Sequence, residues 1–244
     1  FLISNHLIMT TKPNQVDDSV VQTIVSPHQH QPSRRKFLAT AGGFSLLSAF
    51  VIGSASSCKK SSSSNGVDLG SGDIGILNYA YALEQLEAAF YVKVVASPYG
   101  SMPAAEASYL TDIRDHEVAH REFFKAALGS NAIPALEVNF STIDFTSRAS
   151  VLGTAKAFED LGVTAYNGAG QLLQDAGYLT IAGKIVSVEA RHAALIRDLI
   201  TPGSFADNTA LDANAMDMAR TPAQVLAIAG AYISTQIDAS HLPS

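Results

Sequence analysis

The sequence predicts an all-α protein built on a four-helix bundle. Three observations carry that expectation. Four long segments place apolar residues at three- and four-residue spacing, a Glu-x-x-His pair occurs twice, and an internal repeat relates the first two segments to the last two. With 244 residues, nearly half of them apolar, the chain has material for one domain of ordinary size plus appendages.

Residues 1–58 are expected to form an N-terminal extension. The chain starts at Phe1, and Met9 is expected to be the true start. The Gln- and Ser-containing stretch after it has no hydrophobic period and is expected to be disordered. Ser33-Arg34-Arg35-Lys36-Phe37-Leu38 differs, because a twin arginine followed by the apolar run from Phe37 to Ala55 resembles a Tat-type export signal. A membrane anchor, with a core of about 20 apolar residues, is the alternative; length, flanks and position favour the signal. Tat export carries folded proteins, often with metal already bound, so the resemblance implies a cofactor-bearing cargo. The sole cysteine, Cys58, follows Ala55-Ser56-Ser57, which resembles a lipoprotein cleavage box with Ala55 in place of the usual leucine. A lipidated Cys58 would attach the protein to a membrane, and an incidental cysteine is the alternative. Residues 59–73 are rich in Ser and Lys and predict a flexible tether. The expected location is therefore the periplasm or the envelope membrane.

Residues 74–201 carry the bundle. Ile74 to Ala96 keeps Leu77, Tyr81, Glu84, Ala88, Tyr91 and Val95 on one face, and Glu84 is a carboxylate inside an apolar stripe. Buried carboxylates are rare unless paired or bound to metal. Ser97-Pro98-Tyr99-Gly100 stops that helix. Ala104 to Leu128 follows, with Ile113, Glu117, His120 and Phe124 inward and Gly129 as its stop. Ser130 to Thr146 contains Pro134 and Asn139 and lacks a sustained period. Its length suits a crossover along the bundle between the second and third helices. Ser147 to Asp175 gives the third helix, with Leu152, Ala155, Glu159, Val163 and Tyr166 on one face; Gly162, Gly168 and Gly170 weaken it. Tyr178 to Ile200 is the fourth, with Ile185, Glu189, His192, Ile196 and Leu199 inward. Residues 202–244 predict a polar loop, a short helix from Thr221 to about Gln236 with Pro222 at its first position, and a frayed tail from Asp238.

Glu159 lies 75 residues after Glu84, as Tyr166 does after Tyr91. Glu189 and His192 each lie 72 after Glu117 and His120. Two helix hairpins related by an approximate twofold axis would bring four carboxylates and two imidazoles to one centre. Glu from each of two helices, with Glu-x-x-His from each of the other two, is the arrangement of ferritin-like di-iron and di-manganese proteins. The chain resembles that superfamily over roughly residues 74–201. More narrowly, Leu77-Asn78-Tyr79-Ala80, the run from Phe158 to Ala169 and Val188-Glu189-Ala190-Arg191-His192 resemble exported bacterial ferritin-like proteins related to plant desiccation-related proteins. The resemblance implies a dinuclear site with Glu84, Glu117, His120, Glu159, Glu189 and His192 as ligands.

Neighbouring residues compete for these roles. Glu87 lies one turn beyond Glu84, and Asp160 adjoins Glu159. The seven-residue spacing to Tyr91 and Tyr166 selects Glu84 and Glu159. Tyr91 and Tyr166 fit two readings, as hydrogen-bond donors to the carboxylates or as core fillers. His116 is expected in solvent or beside the ligands, since its repeat counterpart is Val188. Phe123 and Phe124 are expected in the core.

Four carboxylates carry −4, which two divalent cations neutralise while both histidines stay neutral. Hard oxygen donors with two imidazoles suit Fe or Mn, and the lack of thiolates argues against copper(I) or iron–sulfur chemistry. Expected partners are two such ions and dioxygen or peroxide. An oxidase, peroxidase or catalase-like oxidoreductase is the expected function; a stress-protective envelope protein with a structural metal site is the alternative. A ferritin-like remnant acting through protein contacts without metal is a third reading, and a lipid tether argues against a closed storage shell. The net charge is −6, and beyond residue 57 the 12 basic and 20 acidic residues give −8, which argues against nucleic acid.

Overall fold

The computed structural model describes residues 66–244; the expected export signal, Cys58 and residues 59–65 of the expected tether lie outside the described residues. Helices α1 (Gly72–Ala96) and α2 (Ala104–Leu128) form one hairpin, and α3 (Arg148–Gly170) and α4 (Ala176–Ile200) form another. The hairpins meet through α1 and α3, and a short helix α5 (Pro222–Ala229) packs on α3. The all-α four-helix bundle with its short C-terminal helix is thus the observed fold. No helix of the described residues is long and apolar enough to cross a membrane.

Burial on nearly every side sets α1 apart. Leu77, Tyr81, Glu84, Ala88 and Tyr91 of the expected inward line are buried, but so are Tyr79, Leu83, Leu86 and Phe90 on other faces. A helix apolar all round must be covered all round, and the crossover supplies the extra cover. After a 3-10 turn (Gly129–Asn131), the chain runs extended along α1 and drops Phe140 and Phe145 against Phe90, with ring centroids 6.0 and 5.9 Å apart. Two polar side chains of α1 hold it there. Asn78 donates to the carbonyls of Leu69 and Asn131 and accepts from the Ile133 amide at 3.0 Å. Gln85 accepts from the Leu136 amide at 2.8 Å.

Both ends of the bundle are pinned by charge. At one end Asp73, in the first turn of α1, accepts from the amides of Gln174 and Asp175, each at 2.8 Å. Asp175 in turn caps α4 by accepting from Gly177 and Tyr178. These bonds explain why α3 stops at Gly170 and α4 starts at Ala176, whereas the sequence pattern alone runs α3 on to Asp175. At the other end Arg148 pairs with Glu106 of α2 at 2.6 Å and donates to the Leu199 carbonyl at the end of α4. Tyr99 also donates to Glu106.

The C-terminal segment departs most from expectation. Helix α5, opened by a capping box of Thr221 and Gln224, ends at Ala229 rather than near Gln236. The following residues bond to the crossover instead: the Asn139 amide donates to the Tyr232 carbonyl, and the Ser234 amide to the Glu137 carbonyl, each at 2.8 Å. The expected frayed tail begins in strand β2 (Ile237–Asp238), which pairs in parallel with β1 (Val67–Asp68), inside the stretch expected to be tether. Two-residue strands carry no periodic signal, so only tertiary pairing reveals them. The loop before α5 crosses α3 where Gly168 leaves no side chain; a Cβ there would stand 1.7 Å from the Arg220 carbonyl oxygen. Gly168→Ala should therefore force backbone apart and lower stability by about 1–3 kcal/mol. A urea-unfolding midpoint equal to that of the unsubstituted protein would refute this.

Candidate metal centre

Halfway along the bundle, each helix delivers its predicted residues to one point. Glu84 comes from α1, Glu117 and His120 from α2, Glu159 from α3, and Glu189 and His192 from α4. The three-residue spacing sets the carboxylate and imidazole of each pair on one face. All four carboxylates have 0% exposure, and His192 is buried; His120 is slightly open. Two overlapping groups result, Glu84, Glu117, His120 and Glu189 in one and Glu117, Glu159, Glu189 and His192 in the other. In each, one ligating atom per residue lies within 4.8 Å of the rest, and Glu117 and Glu189 belong to both.

The contacts are short but do not satisfy one another. His120 Nδ1 is 3.0 Å from Glu189 Oε1 and 3.4 Å from Glu84 Oε2. His192 Nδ1 is 2.9 Å from Glu117 Oε1 and 3.3 Å from Glu159 Oε2. Neither nitrogen makes an aligned hydrogen bond. Nine buried side-chain polar atoms lack a hydrogen-bond partner among the described residues, and eight belong to these six side chains. Unpartnered buried polar atoms are rare and costly. Eight of them converging on one spot, with oxygen and imidazole donors, fit a metal ion better than any arrangement of protein hydrogen bonds.

The two tyrosines settle as hydrogen-bond donors, and they do so crosswise. Tyr91 of α1 donates to Glu159 of α3, while Tyr166 of α3 donates to Glu84 of α1. Tyr91 lies seven residues after Glu84 and its partner Glu159 seven before Tyr166, so α1 and α3 run antiparallel in this register. Burial, then the adjacent carboxylates, raise both phenols well above their ordinary range, and they remain donors. Asp160 points away from the centre to Arg197, at 2.7 Å.

Two neighbours play larger parts than their sequence positions suggest. Glu87 is buried with Glu84 rather than excluded by it. A Cβ on Gly162 would meet oxygens of both Glu87 and Glu189 at 3.2 Å, so the glycine makes room for two carboxylates. The repeat held a signal for this, since Gly162 stands 75 residues after Glu87 and is its counterpart. His116, exposed on α2, places Nδ1 2.9 Å from Nε2 of His192. That contact spans two hairpins, and nothing in local spacing announces it.

Without metal, Glu117, Glu87 and Glu189 resist ionisation. Burial, then repulsion from Glu189 and Glu84, lifts Glu117 well above the ordinary carboxyl range. Burial, then Glu189, does the same to Glu87. Glu189 is pushed up to about 7 by burial, against the pull of His120. Burial opposes a proton on His120, but contacts with Glu189 and Glu84 outweigh it and raise the imidazole to about 10. Each raised group holds a proton in the folded state that the unfolded chain releases earlier, so its stabilisation is complete at low pH and fades as pH climbs through the folded value. Asp68, Glu106, Asp144, Asp207 and Asp212 are shifted down, and their opposite contribution is already complete above their ordinary pKa values near 4. Burial also lowers His116, one group whose opposing contribution falls below its ordinary value of 6.5 and offsets only part of the loss from the three raised carboxyls. Metal-free protein should thus lose stability between pH 5 and 7, by about 1.4 kcal/mol per pH unit for each proton released. Chelator-treated samples unfolded in urea at pH 5, 6 and 7 test this, and a midpoint that rises with pH contradicts it.

Comparison with protein families agrees with the geometry. A model of the ferritin-like domain matches residues 72–202, more than half of the chain and all four bundle helices. Comparison with curated proteins finds no match. Six inward-facing residues in two Glu-x-x-His hairpins, on the bundle that this match covers, place the chain in the ferritin-like domain family.

Proposed function

We propose that the protein is an exported dinuclear-metal carboxylate protein that binds two Fe or Mn ions and reacts with dioxygen or peroxide. The observation that carries this is the pair of overlapping four-residue groups sharing Glu117 and Glu189. Glu84 and His120 would hold one ion, Glu159 and His192 the other, and Glu117 and Glu189 would serve both. Two divalent ions offset the four carboxylate charges, and such a pair supplies electrons to dioxygen or peroxide. The chain's own residues do the rest. Tyr91 and Tyr166 hold Glu159 and Glu84 in place, and the apolar packing around α1 keeps bulk water away. His120, the least buried of the six, marks the side from which solvent reaches the centre.

Export rests on the twin arginine and apolar run before residue 58, and membrane attachment on lipidation of Cys58. Full burial of the four carboxylates also supports a second reading, in which the ions chiefly hold the bundle together in a stress-protective envelope protein.

Purified full-length protein from its native compartment should contain about two Fe or Mn per chain. The double substitution Glu117→Ala with His120→Ala should abolish this, and unchanged metal content by elemental analysis would defeat both readings. Metal-loaded protein should consume dioxygen or decompose peroxide; inertness towards both would leave the structural role.

A further inference from the structure

The two halves of the centre are not alike, and the difference lies in one histidine. His116 Nδ1 lies 2.9 Å from His192 Nε2, with the rings 9° from coplanar and their centroids 5.1 Å apart. That separation is what the nitrogen contact plus one ring radius at each end adds up to, so the imidazoles meet edge to edge along a single hydrogen bond rather than face to face. Nδ1 of His192 points inward, 2.9 Å from Glu117 and 3.3 Å from Glu159. An imidazole that offers its Nδ1 lone pair inward must carry its hydrogen on Nε2. Nε2–H then donates, and His116 Nδ1 accepts. In the other half the matching position, 72 residues on, is Val188, which has no acceptor to offer His120.

We infer that His116 is a positioning residue that fixes the tautomer and ring direction of His192 and so makes the half-site of Glu117, Glu159, Glu189 and His192 the tighter of two unequal metal sites. The inference rests on the dinuclear reading above. A partner on the far nitrogen of a ligating histidine locks its orientation and strengthens it as a donor, and loss of such partners costs about 10–100-fold in metal affinity. Among the described residues, His192 has this partner and His120 does not.

The test is a cobalt(II) titration of metal-free, full-length protein followed by absorption. The unsubstituted protein should bind in two resolved steps. His116→Phe keeps a ring at an exposed position but removes the acceptor. It should weaken the tighter step by about 10–100-fold and leave the weaker step unchanged. His116→Asn, which keeps an acceptor near the Nδ1 position, should restore it. Nitrogen-15 correlation spectra of zinc-loaded protein give a readout that a merely structural role would not move. The His192 Nε2 hydrogen should exchange slowly with water in the unsubstituted and Asn proteins and fast in the Phe variant. Two ions bound with unaltered constants in His116→Phe, or unaltered exchange, would overturn the inference while leaving the dinuclear reading intact. No binding by the unsubstituted protein would overturn both.

Discussion

Four carboxylates with no exposure to water, at the midpoint of an apolar bundle, are the constraint to which the rest of the structure answers. Removing one such ion from water costs several kcal/mol unless something compensates, and here four do so together, with Glu87 close by. Protein hydrogen bonds cover only part of the need, through Tyr91 to Glu159 and Tyr166 to Glu84. The remaining oxygens face one another and two imidazole nitrogens. Protons can fill that space at low pH and cations at neutral pH. Replacing buried charged groups by well-packed apolar residues is often neutral or stabilising, so folding alone does not account for the arrangement.

Such a centre demands register. A one-residue slip rotates a helical side chain by about 100°, which would carry Glu189 or Glu117 out of the group. The polar groups outside the centre act against such slips. Asp73 ties the start of α1 to the turn between α3 and α4, and Arg148 ties the start of α3 to α2 and the end of α4. Asn78 and Gln85 fix the crossover along α1, so the long connection joins the frame instead of merely spanning it. Gly168 lets the backbone at Arg220 close on α3 from outside.

What the sequence makes legible follows from which interactions are local. Glu117 with His120 and Glu189 with His192 share helical faces by spacing alone, and the repeat doubles that signal, so the six central residues are readable before any coordinates. Helix ends are less so, because they depend on distant partners: α4 begins where Asp175 is itself held by Asp73, and α5 ends where Tyr232 and Ser234 find the crossover. The strand pair of Val67–Asp68 with Ile237–Asp238 joins residues near opposite ends of the described chain and leaves no periodic trace. Tyr91 and Tyr166 show the boundary clearly. Spacing put each on the face of its own helix's glutamate, and only packing revealed that each serves the glutamate of the other helix.

The twofold repeat is also most informative where it fails. At most central positions the halves match: Glu84 with Glu159, Tyr91 with Tyr166, Glu117 with Glu189, His120 with His192. Glu87, however, is matched by Gly162, and the missing side chain of the glycine is the space that Glu87 and Glu189 occupy. A glutamate at both positions would force two more carboxylates into one volume, so the extra acid in one half requires its absence from the other. His116 is matched by Val188, so His192 has a polar partner on its far nitrogen where the repeat offers only an apolar side chain. A symmetric frame explains how six residues come together, but its two departures from symmetry act on the same centre. Ions placed in it would meet different surroundings on the two sides, which a perfectly repeated bundle could not provide.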